Sequence, residues 1–534
     1  MVYYNNSNVA IQNTYNLSLL KKPGTVKVFH VNIKNKHVFK YQFIRDGARS
    51  VRKEYYTLIS KMRSELHMSQ AQAEGAVVNT ANELFGRKWK VYQANSEIDK
   101  NTLPAFSNVK RVEPYIEAMI LSAITHQIMD SKENTIVYSN DGSAQSGVGN
   151  YVVQSISING VQRTLPTLGI FTESRESLAE LEKTTFQILS ASTGYRFSEK
   201  EIVEHIDFVM TDSTSHNLGV IEKVCEDLES DSVPQSLVCN IHPLMMFQRQ
   251  AKKVFQIIHD AFGKAKIKEC FLVDIEFHNE SFIIKAVTCL SSFINKDYSA
   301  KPWNRQSHFE HFISPKENQS LSYKDHRFNR MFDCCAALLY HMDDIKLYLE
   351  QFQNIINGIS ILNRGFLDME LLKPILGATV LMGIHITGPL LNILKDPKTK
   401  HSDLNTIFPT LYSDLLETNS ITFLQTKQCA TSFASQETFL QCLPKPCIVD
   451  SVDKCILEFQ NYIEQLVKLF LKQFAEGLAT QRGALFGFGP NSDKDTGTLL
   501  KISSVTNIDK LDKVPIHNLG EERSVGFINH ELGL

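Results

Sequence analysis

The chain of 534 residues is 43% apolar, 10% aromatic and 21% charged, which is enough apolar material for two or three domains and excludes a largely disordered protein. A formal net charge of −2 excludes a polycation overall. No run approaches the ~20 consecutive apolar residues of a bilayer span, and the opening "MVYYNNSNVAIQNTYNL" lacks the basic-then-apolar order of a signal peptide, so the expectation is a soluble intracellular protein with no membrane partner.

The average charge hides an asymmetry. Residues 21–65 hold twelve Lys or Arg against three acids, a local excess of nine positive charges, interleaved with Phe29, Phe39, Tyr41, Phe43, Tyr55 and Tyr56. "TVKVFHVNIK" and "HVFKYQFIRD" alternate apolar and polar residues around a short turn and predict a β-hairpin. Helical spacing follows in "SVRKEYYTLISKMRSEL" and "SQAQAEGAVVNTANELFG". This small basic α+β module, residues 1–110, reads either as a platform for phosphates, with Lys34, Lys36, Lys40, Arg45, Arg49, Arg52 and Lys53 as nucleic-acid contacts, or as a solvated lysine-rich face.

Next come a helix, "PYIEAMILSAITHQIM", and a strand, "NTIVYSNDGSAQ", expected to end near Asp141. Two more strands, "YVVQSISING" and "VQRTLPTLGIFTE", turn at Asn159-Gly160. Helices "ESLAELEKTTFQILSASTG" and "SEKEIVEHI" lead to the strand "IDFVMTDS", which runs an apolar ramp into Asp212. A helix "LGVIEKVCEDLES", a strand "SLVCNIHPL" and a helix "MMFQRQAKKVFQIIHDAFG" complete a β-β-β-α-β-α-β-α order over 111–262. Strand runs joined by short turns and then alternating with helices predict a mixed sheet flanked by helices. Residues 263–510 are mainly helical, with a strand-like "ECFLVDIEFHNE" and a glycine-rich "RGALFGFGPNSDKDTGTLL" expected to be loop. Residues 511–534 end in "VPIHNLGEERSVGFINHELGL", expected to turn into a short helix. The ten cysteines, the first at Cys225, include no CxxC pair and read as reduced thiols.

Asp141 and Asp212 are both expected at carboxyl ends of strands, the edge of an open α/β sheet where sites form. Two such aspartates with a third acid are a ligand set for a pair of hard divalent ions. Asp at a strand end is also the usual cap of a following helix, and for Asp212 taken alone the capping role is the simpler one.

At this point the residues resemble a family. The order of elements is similar to the ribonuclease H-like core of DDE transposases, and specifically the hAT superfamily. "IVYSNDGSAQSGVGNYVVQSISINGVQRTLPTLGIF" resembles its first catalytic block and "DFVMTDSTSHN" its second. "LVCNIHPL" carries the family's CxxH arrangement at Cys239 and His242. "DHRFNR" stands where the family has an Arg-Trp pair, here Arg327 and Phe328. "GEERSVGF" resembles the closing block, with Glu522 before Arg523. The resemblance covers residues 112–260, 320–345 and 515–530, and 263–510 corresponds to the family's insertion by position only.

It implies Asp141, Asp212 and Glu522 (Glu521 as the fallback) as ligands of Mg²⁺ or Mn²⁺, in a two-metal centre that cuts a DNA strand and transfers the freed 3′-hydroxyl. Cys239, His242, Arg327, Phe328 and Arg523 would support the site. DNA would be the partner, the protein a homo-oligomer, and its location nuclear, or otherwise cytoplasmic. The chain departs from the family in three places: Phe328 replaces Trp, no zinc finger precedes the core, and only twelve residues follow Glu522. These departures keep a catalytically inactive, transposase-derived DNA- or protein-binding module open as the alternative. An unrelated helical interaction protein is the third reading, favoured if Asp141 and Asp212 do not lie on adjacent strands. "VDIEFHNE" offers a rival acid cluster in Asp274, Glu276, His278 and Glu280, two apart and so on one face of a strand, or a charged edge that discourages further pairing. Structural roles for Cys239 and His242, a core thiol and a satisfied histidine, are the simpler reading of that pair.

Overall fold

The computed structural model describes residues 29–33, 36–40, 106–130, 134–145, 149–166, 168–170, 174–211, 219–262, 280–294, 305–319, 329–351, 372–496, 499–505 and 508–517. They form a mixed α/β protein, dominated by helix, that divides into two compact units: the described residues up to Ser236, and those from Leu237 onward.

The first unit begins with the expected hairpin, β1 (Phe29–Ile33) and β2 (Lys36–Lys40), antiparallel from Phe29↔Lys40 to Ile33↔Lys36. The two predicted helices of residues 51–86 lie outside the described residues. α1 (Phe106–Met129) precedes β3 (Ile136–Gln145), β4 (Gly149–Ile158), β5 (Val161–Thr164) and β6 (Leu168–Ile170). The helices α2 (Arg175–Ser192) and α3 (Glu199–Glu204), the strand β7 (Phe208–Thr211), the helix α4 (Val220–Asp227) and the strand β8 (Gln235–Val238), whose last two residues are counted with the second unit, follow. The sheet order is β5-β4-β3-β7-β8, with β6 also pairing with β4. β3 runs antiparallel to β4 and parallel to β7.

Local chemistry explains these elements. Asn159 and Gly160 both take positive φ, 51° and 80°, the conformation a two-residue type I′ hairpin needs. Ser174 caps α2 by accepting from the Ser177 N–H, and Ser198 with Glu201 forms a capping box on α3. The apolar stripe of α2, including Leu178, Leu181, Phe186 and Leu189, covers Tyr138 and Ile156 of the sheet, and Ile124 and Ile128 of α1 join the same core. Val209 and Val224 belong to it as well.

Two expectations about this unit are corrected. "VQRTLPTLGIF" contains two short strands, β5 and β6, and the chain leaves the first at Leu165 and Pro166; Pro166 has no N–H to give a ladder. β3 does not stop at Asp141. It continues through Gln145, because β4 pairs with it all the way to Gln145↔Gly149.

The second unit is helical. α5 (Pro243–Phe262), α6 (Phe282–Ile294), α7 (Arg305–Ile313) and α8 (Arg330–Gln351) precede α9 (Leu372–Met382), which passes through a π-helical turn at Gly383–Thr387 into α10 (Gly388–Lys395). α11 (His401–Glu417) and α12 (Gln436–Gln441) lead to α13 (Pro446–Phe486), kinked at Phe459, and the short α14 (Ile508–Leu511) closes the described chain. α13 is the spine. Phe474 meets Phe247 of α5 at 4.7 Å between ring centroids, and Phe470 meets Phe255 at 6.0 Å. Gly477 permits that approach, since a Cβ there would lie 2.4 Å from the Met246 sulfur.

"RGALF", expected as loop, is the last turn of α13, which ends at Gly487 in the left-handed conformation (φ 71°) that glycine adopts without cost. Among the described residues one helical stretch, 372–395, is long and apolar enough to cross a bilayer, yet 89% of its most apolar window is buried inside the protein. It is a core helix.

Candidate metal-binding edge

The chemistry expected of this chain turns on the β3/β7 pair, so its register matters. Asp207, just before β7, accepts the Ile136 N–H on its carboxylate at 2.9 Å, while its own N–H donates to the Ile136 carbonyl at 3.0 Å. This two-way bond fixes where β7 starts against β3. The ladder then runs Val137↔Phe208, Tyr138↔Val209 and Ser139↔Met210, a constant offset of 71 residues. Asp141 and Asp212 each stand two residues beyond the last of these pairs in the sequence. Asp141 is on β3, opposite Val153 of β4; Asp212 immediately follows Thr211, the last residue of β7, and lies outside the described residues. Asp141 is thus inside its strand, paired with β4.

The chain returns at Gly219 (φ 77°), where the Arg175 guanidinium at the start of α2 donates to the Gly219 carbonyl from Nε at 2.9 Å and Nη2 at 2.6 Å. A Cβ at this position would fall 2.7 Å from Arg175 Nη2. Gly219 is therefore held to the start of α2.

Behind the sheet lies a buried polar network that sequence reading did not single out. The Asn140 side-chain N–H donates to Glu182 Oε1 at 2.5 Å, and Gln154, paired with Asn140 across β3 and β4, accepts from Tyr138 O–H at 2.5 Å and from Thr185 O–H at 2.6 Å. Glu182 is 1% exposed. Burial pushes its carboxyl up to about 8, with the nearby Glu222 acting in the same direction and the Asn140 bond opposing. It is therefore mostly neutral at pH 7. Cys225 is pushed up to about 12 by burial and then by Glu222 and Glu182, which makes it an inert core thiol. The signal in the sequence was an acid on an apolar stripe: Leu178, Leu181, Glu182, Thr185, Phe186 and Leu189 share one helical face.

The remaining candidates divide by location. Cys239 and His242, expected on a strand, both follow the end of β8 at Val238, and they belong to the second unit. Cys239 is fully buried and His242 half-buried. The peptide between Cys239 and Asn240 is held from both sides: Arg482 Nη2 donates to the Cys239 carbonyl at 2.9 Å, and the Asn240 N–H donates to the Ile516 carbonyl at 3.0 Å. Arg482 is fully buried, and burial lowers its pKa to about 10. Lys36 and Lys40 are on β2, at the register positions of Ile33 and Phe29. Lys34, Arg45, Arg49, Arg52, Lys53, Arg327, Phe328, Glu521, Glu522 and Arg523 lie outside the described residues, as do Asp274, Glu276 and His278; Glu280 is exposed just ahead of α6. Among the described residues no three His, Cys, Asp or Glu side chains converge as a metal ion would require.

No family model matches the chain, and no curated protein matches it either.

Proposed function

We propose that this chain is a transposase-like protein of ribonuclease H-like architecture, acting on DNA by metal-dependent strand cleavage and transfer. The observation that carries this reading is the offset of the β3/β7 ladder, which is the same 71 residues that separate Asp141 from Asp212. Continued at that offset, the ladder would bring the two aspartates to one level of adjacent parallel strands, an arrangement that would suit hard divalent ions, which take carboxylate and water oxygens. The order of the sheet, with a long first strand antiparallel to its successor and parallel to the strand after two helices, agrees with the architecture expected from the resemblance.

Asp141 and Asp212, with Glu522 as the third acid, would hold Mg²⁺ or Mn²⁺. Bound there, such ions supply Lewis acidity and lower the pKa of water. The chain's own residues do the positioning: Asp207 fixes the strand offset on which both aspartates depend, and Arg175 holds Gly219 at the far end of the stretch that Asp212 begins. Residues 21–65, Lys36 and Lys40 among them, would bind the DNA backbone, with affinity falling steeply as salt rises. A nuclear location and assembly as a homo-oligomer follow from this reading.

Calorimetric titration with Mg²⁺ and with Mn²⁺ tests it, comparing the natural chain with Asp212→Asn and Glu522→Gln. Binding that both substitutions abolish supports a three-carboxylate centre. A folded protein that binds neither ion would replace this reading with a catalytically inactive, transposase-derived binding module.

A further inference from the structure

We propose that Glu182 of α2 and Glu222 of α4 form a proton-operated latch: one proton held at this pair keeps α4 docked on α2, and its loss lets α4 come away. α4 joins the core of the first unit through Val220, Ile221, Val224 and Cys225, alongside Leu178 and Leu181 of α2. Cations of α2 tie both of its ends at the surface. Arg175 donates to the Gly219 carbonyl at 2.9 and 2.6 Å, and Lys183 pairs with Asp227 at 3.3 Å. Between those ends the charges do not match, because Glu222 stands close enough to Glu182 to disfavour its charge. Glu182 is 1% exposed, and its Oε1 accepts from the Asn140 side chain at 2.5 Å. Oε2 of each glutamate is buried with no hydrogen-bond partner among the described residues. Two ionised carboxylates in that setting would both be uncompensated, so a proton is what allows the seam to close.

The groups around the pair offer no substitute for that proton. Tyr138 faces Glu182 from β3, and Glu222 and Cys225 face it from α4, with Glu204 of α3 acting on the same Cys225. Gln154 of β4 and Thr185 of α2 are neutral and bonded to each other at 2.6 Å. His126 of α1 packs on Phe197 instead, with 5.5 Å between ring centroids, and β6 carries no titratable side chain. The nearby lysines are engaged at the surface, Lys183 with Glu180 at 3.0 Å and Lys223 with Asp227 at 2.5 Å. No cation is paired with Glu182 or Glu222 among the described residues. Burial raises the Glu182 carboxyl from an ordinary 4.5 to about 8; the Asn140 bond opposes the rise and Glu222 adds to it. When α4 leaves, water reaches the carboxyl and Glu222 departs, so the open form releases the proton that the closed form holds. Docking is therefore fully favoured below 4.5 and weakens as pH rises to about 8.

Hydrogen exchange of the full chain as a function of pH tests the latch, with neither metal nor DNA present. It is read at the amides of α4, where Lys223 N–H donates to the Gly219 carbonyl, and at Leu228, whose N–H donates to the Val224 carbonyl. Corrected for the intrinsic exchange rate, the opening of α4 should rise about tenfold per pH unit between 4.5 and about 8 and then level off, the slope expected for release of one proton. The β3 and β4 amides should stay better protected than those of α4 at every pH. Glu182→Gln should remove the slope. Glu222→Gln deletes the repulsion, leaves Glu182 in place and should move the levelling point to lower pH, and with the natural profile it decides the matter if Glu182→Gln fails to fold. A flat α4 profile in the natural chain, a slope that survives Glu182→Gln, or a levelling point unmoved in Glu222→Gln would overturn the latch. So would equal protection of α4 and β3 throughout, since the whole unit would then be opening together.

Discussion

Glu182 and Arg482 are both fully buried without an ion-pair partner among the described residues, one in each unit, and the two units accommodate them in opposite ways. Glu182 gives up its charge: burial and the neighbouring Glu222 raise its pKa to about 8, and the neutral acid remains as an acceptor for Asn140. Arg482 keeps its charge, since a pKa of about 10 still leaves it protonated near neutrality. It takes backbone carbonyls instead, those of Cys239 and Gln481. A carboxyl can escape an apolar site by binding a proton, whereas a guanidinium must be solvated by oxygen atoms. So the first unit stores a titratable group beside its candidate site, and the second stores a fixed cation at the end of β8.

The largest expected effect comes from breaking the arginine arrangement. Arg482→Ala leaves a cavity and removes a charge-assisted donor from the Cys239 carbonyl, and should cost about 3 kcal/mol in denaturant unfolding. Arg482→Lys restores the charge but not the planar fork and should recover only part of that loss. If Lys were equivalent to Arg, charge rather than carbonyl solvation would be what the site requires.

pH should divide the units. The folded first unit binds a proton on Glu182 that the unfolded chain releases, so this contribution to stability is fully present below about 4.5 and lost as pH rises to about 8. In the second unit, burial lowers His385 to about 3 and His401 to about 4 from an ordinary 6.5. There the unfolded chain binds the protons, so that contribution is fully present above 6.5 and lost as pH falls toward 4 and then 3. Hydrogen exchange should therefore show β3 and α2 losing protection toward high pH and the π-helical turn and α11 toward low pH. Glu182→Gln should flatten only the first trend.

Smaller effects probe the close approaches. Gly477→Ala would push a methyl against the Met246 sulfur and Gln250 Cγ, at 2.4 and 2.6 Å before relaxation, and should cost ~1 kcal/mol because both side chains can move. Asp207→Ala removes one bond from the β3/β7 junction and should cost ~1 kcal/mol in thermal unfolding.

These features were unequally legible in the sequence. The hairpin turn at Asn159-Gly160, the caps at Ser174 and Ser198, and the apolar strand Phe208–Thr211 announce themselves locally. The far end of β3 does not: Gly142, Ser143 and Ala144 have little strand preference and are extended because β4 pairs with them. Arg482 sits in a glycine-rich stretch that reads as loop, and its helix is held by packing on α5 rather than by local preference. Asp141 was visible as a candidate, but its level relative to β7 was not, because that offset is fixed by Asp207 across the sheet.

The central claim is that Asp141 and Asp212 act together on DNA, and a nicking assay on supercoiled plasmid with Mn²⁺ tests it most directly. The expected result is metal-dependent nicking by the natural protein, lost in Asp141→Asn and in Asp212→Asn while both variants stay folded and still bind DNA. Nicking that survives either substitution, or a folded, DNA-binding natural protein that never nicks, would contradict it.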